Sequence, residues 1–218
     1  MPSPSLADVA YSKIREKIIT AHYMPGDLLS ENELAETLSM SRTPIRSAIA
    51  HLEVEGFVTS FKNRGIFVKE LSLKEIFDVL EAFLCMQEFA INTVIERDSS
   101  LNNEELEIHL NAQIKAEQEN DYIAYINHAM AFNRSLVYAA NNQVILKLMD
   151  SIIDKMIQFG IVNWKLTPNQ IHYSGNLLNT SIYEAICSAN YSKAKQMCRQ
   201  KYLDSRESIL NSRIYKSY

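Results

Sequence analysis

No stretch of this sequence reaches the roughly 18 uninterrupted apolar residues that a membrane-spanning helix needs. The N-terminus, MPSPSLADVA, has neither the basic opening nor the apolar run of a signal peptide. The expectation is a cytoplasmic chain with no membrane partner. Cysteine is scarce too: Cys85, Cys187 and Cys198 are odd in number and lack metal or redox spacing, which predicts buried, reduced thiols. A net charge of −4 excludes a global basic field for nucleic acid or for a membrane surface. Of the five prolines, only Pro168 falls after residue 70.

What is present is 47% apolar residues in a chain of 218, ample for real cores, arranged in two textures. Up to about Glu70 the elements are short and punctuated; from Leu71 the pattern is long, amphipathic and helical. The boundary falls near 69–72, giving units 1–70 and 71–218. Ala7–His22 reads as a helix, and Met24-Pro25-Gly26-Asp27 as a turn. Ser30-Glu31-Asn32-Glu33 has the form of a capping box and opens a short helix through Leu38. After the tight connection Ser39-Met40, Ser41 is the N-cap of a helix that keeps Pro44 in its first turn and runs to about Glu55, before Gly56. Ile45, Ala48, Ile49 and Leu52 make its apolar stripe at i, i+3, i+4 and i+7. "FVTSF" and "GIFVKE", joined by Lys62-Asn63-Arg64-Gly65, then read as a hairpin.

Three helices and a basic-tipped hairpin describe a winged helix-turn-helix, whose second motif helix enters the DNA major groove by its N-terminal residues. Ser41, Arg42, Thr43 and Arg46 stand at that end, on a face beside the buried stripe, and Lys62 and Arg64 stand at the wing tip. This unit holds eight Lys/Arg against nine Asp/Glu, so attraction to DNA has to be local, a concentrated patch doubled by dimerisation. A winged helix kept for protein or RNA contacts is the alternative.

From "YSKIREKIIT" to "NRGIFV", about residues 6–69, the sequence resembles the DNA-binding domain of the GntR family of bacterial transcription regulators. The resemblance is carried by "PGDLLSENELAE", "SRTPIR" and "NRGIFV". It implies that Arg42, Thr43 and Arg46 contact operator DNA, with Arg64 and Gly65 in the wing. Asn32 joins this set at a position where the family often has arginine.

The second unit reads as six helices: Ser72 to about Glu96, Asn102 to Asn120, Asp121 to Ala140, Asn142–Val162, one opened by Thr167-Pro168-Asn169-Gln170 and ending near Asn190, and Tyr191–Tyr215. The fold class is therefore mainly α, a winged helix-turn-helix followed by an antiparallel bundle with room for a ligand. This unit resembles the FCD ligand-binding domain found in one GntR subfamily. Many such domains hold a metal through an Asp-x-x-x-His pair and two later histidines. The matching positions here are Ala129, Asn133, Asn179 and Lys201, and neither amides nor an ammonium suit a transition metal. His109, His128 and His172 have no partners at ligand spacing, so no metal and no other cofactor is expected. Where the family commonly has an arginine and a glutamate, this chain has Leu80 and Leu84, which read either as core packing or as a less polar pocket. Asn133, Asn179 and Lys201 complete that candidate pocket, with Lys201 the cation available to an acidic head group.

An enzyme would need a nucleophile with its base, a carboxylate pair or a metal cluster. Glu104, Glu105 and His109 come nearest, and they suit a solvated helix face. The sequence therefore predicts no enzyme. It predicts a regulator, a repressor by family habit, that binds a palindromic operator as a homodimer and is released by a small acidic effector such as a carboxylate. A constitutive architectural DNA binder, which needs no pocket, is the nearer rival.

Overall fold

In the computed structural model, residues 3–62 and 64–211 are described. They form two compact units that divide after Leu71. The first holds α1 (Leu6–Ile19), β1 (Leu28–Leu29), α2 (Glu31–Leu38), α3 (Arg42–Val54), β2 (Val58–Phe61) and β3 (Gly65–Val68). Its core is made where α1 crosses α3: Ala10, Ile14 and Ile18 pack on Ile45, Ala48, Ile49 and Leu52, all nearly or wholly inaccessible. The helical spacing of these residues is what places them on two facing stripes. The strands lie in the order β1-β3-β2, both pairs antiparallel, with Leu29 opposite Ile66 and Phe61 opposite Gly65.

Two features of this unit depart from the sequence reading. A third strand, β1, joins the hairpin; two residues are too few to show an alternating pattern, and pairing with β3 is what defines them. The Ser30 capping box does not form, since the Ser30 side chain makes no cap hydrogen bond, although Ser30 is the N-cap residue. Gly65 opens β3 at a φ of +100°, and a Cβ there would lie 2.5 Å from Leu28 Cδ1, so both backbone and space require glycine.

The second unit holds α4 (Leu73–Glu96), α5 (Asn103–Gln118), α6 (Tyr122–Tyr138), α7 (Gln143–Leu166), α8 (Gly175–Cys187) and α9 (Tyr191–Asn211). Residues 212–218, which include the expected end of the last helix at Tyr215, lie outside the described residues, as does Asn63 in the hairpin tip. The caps read from sequence form at three of these helices, Ser72 with Glu75 as a full capping box and Asn102 and Asp121 through their side chains, and the structure adds a fourth at Asn142. Phe132 and Leu136 of α6, Ile91 of α4, Leu106 of α5 and Ile182 of α8 meet in one buried cluster.

The helix expected to open at Thr167-Pro168 begins instead at Gly175. Thr167 closes α7: its hydroxyl donates back to the Asn163 carbonyl at 2.6 Å, and its own carbonyl accepts from Gln170 N. Of the cysteines, Cys198 is buried as expected, whereas Cys85 and Cys187 are exposed because they stand on outward faces of α4 and α8. Gly175 admits Tyr125 against the start of α8: the Gly175 N–H donates to Tyr125 Oη at 2.9 Å, and a Cβ would lie 2.8 Å from that oxygen. Gly175→Ala is expected to push Tyr125 from its place and cost about 1–3 kcal/mol, the usual size of overpacking. Thermal denaturation of the variant checks it.

Candidate nucleic-acid interface and bundle pocket

At the N-terminus of α3, Ser41 has the extended backbone of an N-cap residue but makes no side-chain cap bond. Ser41, Arg42, Thr43 and Arg46 are all exposed there, because the stripe beginning at Ile45 turns the opposite face inward. This end of the helix presents unpaired backbone N–H groups and the positive end of the helix dipole, a setting that favours anions. Between α2, α3 and the wing runs an open groove of about 670 Å³. Asn32, Arg42, Arg46, Arg64 and Gly65 line it, so the structure brings together five of the eight residues read as DNA-facing. Ser41 and Thr43 stand on α3 outside that lining, and Lys62 is exposed in the wing turn. Glu53 of α3 accepts from Ser60 N at 2.6 Å and so ties β2 to α3.

The sequence reading missed the residue at the centre of the groove. Glu31 binds both α3 arginines at once: Arg42 Nη2 and Nε reach its Oε2 at 2.7 and 3.1 Å, and Arg46 Nε reaches Oε2 at 2.8 Å and Oε1 at 3.0 Å. Hydrogen bonds from Arg42, and then from Arg46, hold the Glu31 carboxyl below the usual carboxylate range. The Arg42 and Arg46 side chains nevertheless remain 53% and 60% exposed, so the pair is a presented one. A carboxylate gripped by two guanidinium groups has the geometry of a bound phosphate, and it fixes two long side chains before any ligand arrives.

In the second unit, Asn133 and Asn179 sit in two separate hydrogen-bonded groups, the first with Gln87 and the second with Gln113 and Lys201. Asn133 Oδ1 accepts from Gln87 Nε2 at 2.5 Å, and Asn133 Nδ2 donates to the Ala129 carbonyl at 2.6 Å. Asn179 Oδ1 accepts from Lys201 Nζ at 2.6 Å, and Asn179 Nδ2 donates to Gln113 Oε1 at 2.8 Å. Both asparagines are completely buried, and their amide oxygens already carry partners. A small cavity of about 50 Å³ adjoins Lys201, with Leu80, Leu84 and Gln87 in its wall. Asn133 and Asn179 stand one bond behind it, through Gln87 and Lys201. Burial draws the Lys201 ammonium down to about 8 and pushes the Cys198 thiol beside it up to about 12.

This donor set does not fit a transition metal: Ala129 offers no donor, both amide oxygens are engaged, and the ammonium has no lone pair to give. Among the described residues, no three His, Cys, Asp or Glu side chains converge. The histidines stand elsewhere. His109 and His128 lie 6.2 Å apart between ring centroids, and His172 Nε2 sits 2.7 Å from the Thr167 carbonyl. Glu105 accepts from Ser135 Oγ at 2.9 Å.

Comparison with known proteins agrees with this division. The family profile for bacterial regulatory proteins of the gntR family matches residues 6–68, and the FCD domain profile matches residues 78–202. The chain is 26% identical over 149 residues to the Nta operon transcriptional regulator of Aminobacter aminovorans, covering 67% of this chain and 70% of the relative. It is 27% identical over 157 residues to the gluconate operon transcriptional repressor of Bacillus licheniformis, covering 70% and 63%. Among solved structures, a putative GntR transcriptional regulator from Rhodococcus sp. RHA1 shares the fold with a TM-score of 0.82 at 20% identity, over 96% of this chain and 99% of that one.

Proposed function

Since the chain belongs to the GntR family of bacterial transcription regulators and carries an FCD domain, we propose that it represses transcription from a palindromic operator, as a homodimer in the cytoplasm that a small acidic metabolite releases. It is a regulator and not an enzyme. The observation that carries the DNA half is the presented pair Arg42 and Arg46, held side by side on Glu31 at the exposed N-terminus of α3. One winged helix reads one half-site, so specificity calls for two copies and an inverted repeat. In this reading Ser41, Arg42, Thr43 and Arg46 take bases and phosphates, Asn32 flanks them, and Lys62, Arg64 and Gly65 take the neighbouring backbone. Repression is supported by the gluconate operon relative, and an effector by the FCD domain with its cavity beside Lys201.

Operator selection from random duplexes, followed by footprinting and mass measurement of the complex, tests the reading. The expected result is an inverted repeat bound by two chains. Tight binding by one chain to a site without symmetry would overturn it.

A further inference from the structure

Lys201 is the anomaly of the bundle. Its side chain lies against the largely apolar wall of the bundle cavity, and its hydrogen-bond partner is a neutral amide, Asn179 Oδ1. The carboxylates on neighbouring faces are otherwise occupied: Glu88 pairs with Arg199 at 3.7 Å, and Glu81 accepts from Tyr202 Oη at 3.2 Å. The remaining titratable neighbour is the Cys198 thiol, which burial keeps protonated at ordinary pH. A cation taken out of water without a counterion is costly, and the cost is relieved when a ligand brings the missing charge.

The surroundings define that ligand. Asn179 cannot turn its oxygen away from Lys201 without losing the bond that its Nδ2 makes to the fully buried Gln113, so the cation is held at a fixed point. The cavity it faces is walled mainly by Leu80, Phe83, Leu84, Met130 and Met156, with the neutral polar side chains of Gln87, Tyr202 and Ser205 at its edge. One cation suits one negative charge, because the other polar side chains of the lining are neutral and bring no second cation. A volume of about 50 Å³ admits a few heavy atoms. Granted that the helical unit binds an effector, we propose that this cavity takes a short-chain aliphatic monocarboxylate, its carboxylate paired directly with Lys201 and its carbon chain against Leu80, Phe83 and Leu84, with no metal between them.

The test uses the full chain in excess chelator, titrated calorimetrically with sodium acetate, propionate, butyrate and valerate, with the matching 1-alkanols and with inorganic phosphate. At least one acid is expected to bind, its alcohol and phosphate at least ten-fold more weakly. Lys201→Met should weaken the acid ten-fold or more. Leu84→Trp, which fills the cavity and leaves the cation, should do the same, so the outcome does not hang on one variant's folding. Lys195→Met removes another lysine of α9, one bonded to Asn92 away from the cavity, and should change nothing. The proposal is overturned if no acid of the series binds, if alcohol or phosphate binds equally, if Lys201→Met keeps full affinity, or if binding needs added zinc. Operator release is read separately by gel shift. Acid binding that leaves the gel shift unchanged sinks the release mechanism of the proposed function and leaves the acid site standing.

Discussion

Alanine at Arg46 alone should weaken specific operator binding by about 1–3 kcal/mol, and alanine at both Arg42 and Arg46 should remove most of the specific binding. Each arginine, if it reaches a base edge or phosphate, contributes on that scale. The two are not independent, because both guanidinium groups rest on Glu31. Losing one leaves the other on the carboxylate, less free to turn toward DNA. Losing both leaves an unpaired acid facing phosphates, a repulsion added to the lost contacts. Folding should be little affected, since both side chains are more than half exposed and lie off the Ile45–Leu52 stripe. Gel shifts across a salt series check this, with the triple variant Glu31→Gln, Arg42→Ala, Arg46→Ala recovering part of the loss. Unchanged affinity in the folded double variant would show that α3 is not the reading helix.

Lys201→Met should flatten the stability profile of the protein at alkaline pH. The folded Lys201 titrates at about 8, against 10.5 for an exposed lysine. Below pH 8 the ammonium is charged in both states, and the folded state bears the whole burial penalty. As pH rises from 8 toward 10.5 the folded form sheds its proton first, so the wild type gains stability across this window. The shift alone corresponds to about 3 kcal/mol, and partial solvent access reduces this to about 2 kcal/mol. The variant lacks that gain. At pH 7 the two should differ less, because removing the buried charge is offset by leaving Asn179 Oδ1 without its donor, a loss of about 1–3 kcal/mol. Urea unfolding of both proteins at pH 7, 8, 9 and 10 reads the difference in slope, and parallel profiles would place Lys201 in water.

Elements whose causes are local were legible in the sequence. The α3 stripe and the caps at Ser72, Asn102 and Asp121 depend on residues within one or two turns of each other, and the structure forms them as read. What escaped depends on distant partners. β1 is a strand because β3 lies beside it. Thr167 has a hydroxyl that suits either end of a helix, and the Tyr125 contact to Gly175 N, from 50 residues away, belongs to the later start. Glu31 carries no helical signature that separates it from Glu33; its part is set by arginines 11 and 15 residues downstream. In the bundle, alignment found Asn133, Asn179 and Lys201, but not Gln87 and Gln113, the amides that complete their bonds.

The carboxylate lodged between Arg42 and Arg46 also bears on how the protein would find its site in a genome. With a net charge of −4 and one of its two groove arginine charges offset by the shared Glu31 carboxylate, the chain exerts little pull on DNA at distances beyond a Debye length. Random sequence would therefore hold it weakly, since sequence-independent affinity is almost wholly a matter of phosphate neutralisation. The guanidinium groups would leave Glu31 only where an operator offers better partners than the carboxylate does. Such a protein trades sliding time for discrimination. Its search would run through short, frequent encounters, and its occupancy would respond steeply to the sequence beneath it and only mildly to the bulk of surrounding DNA.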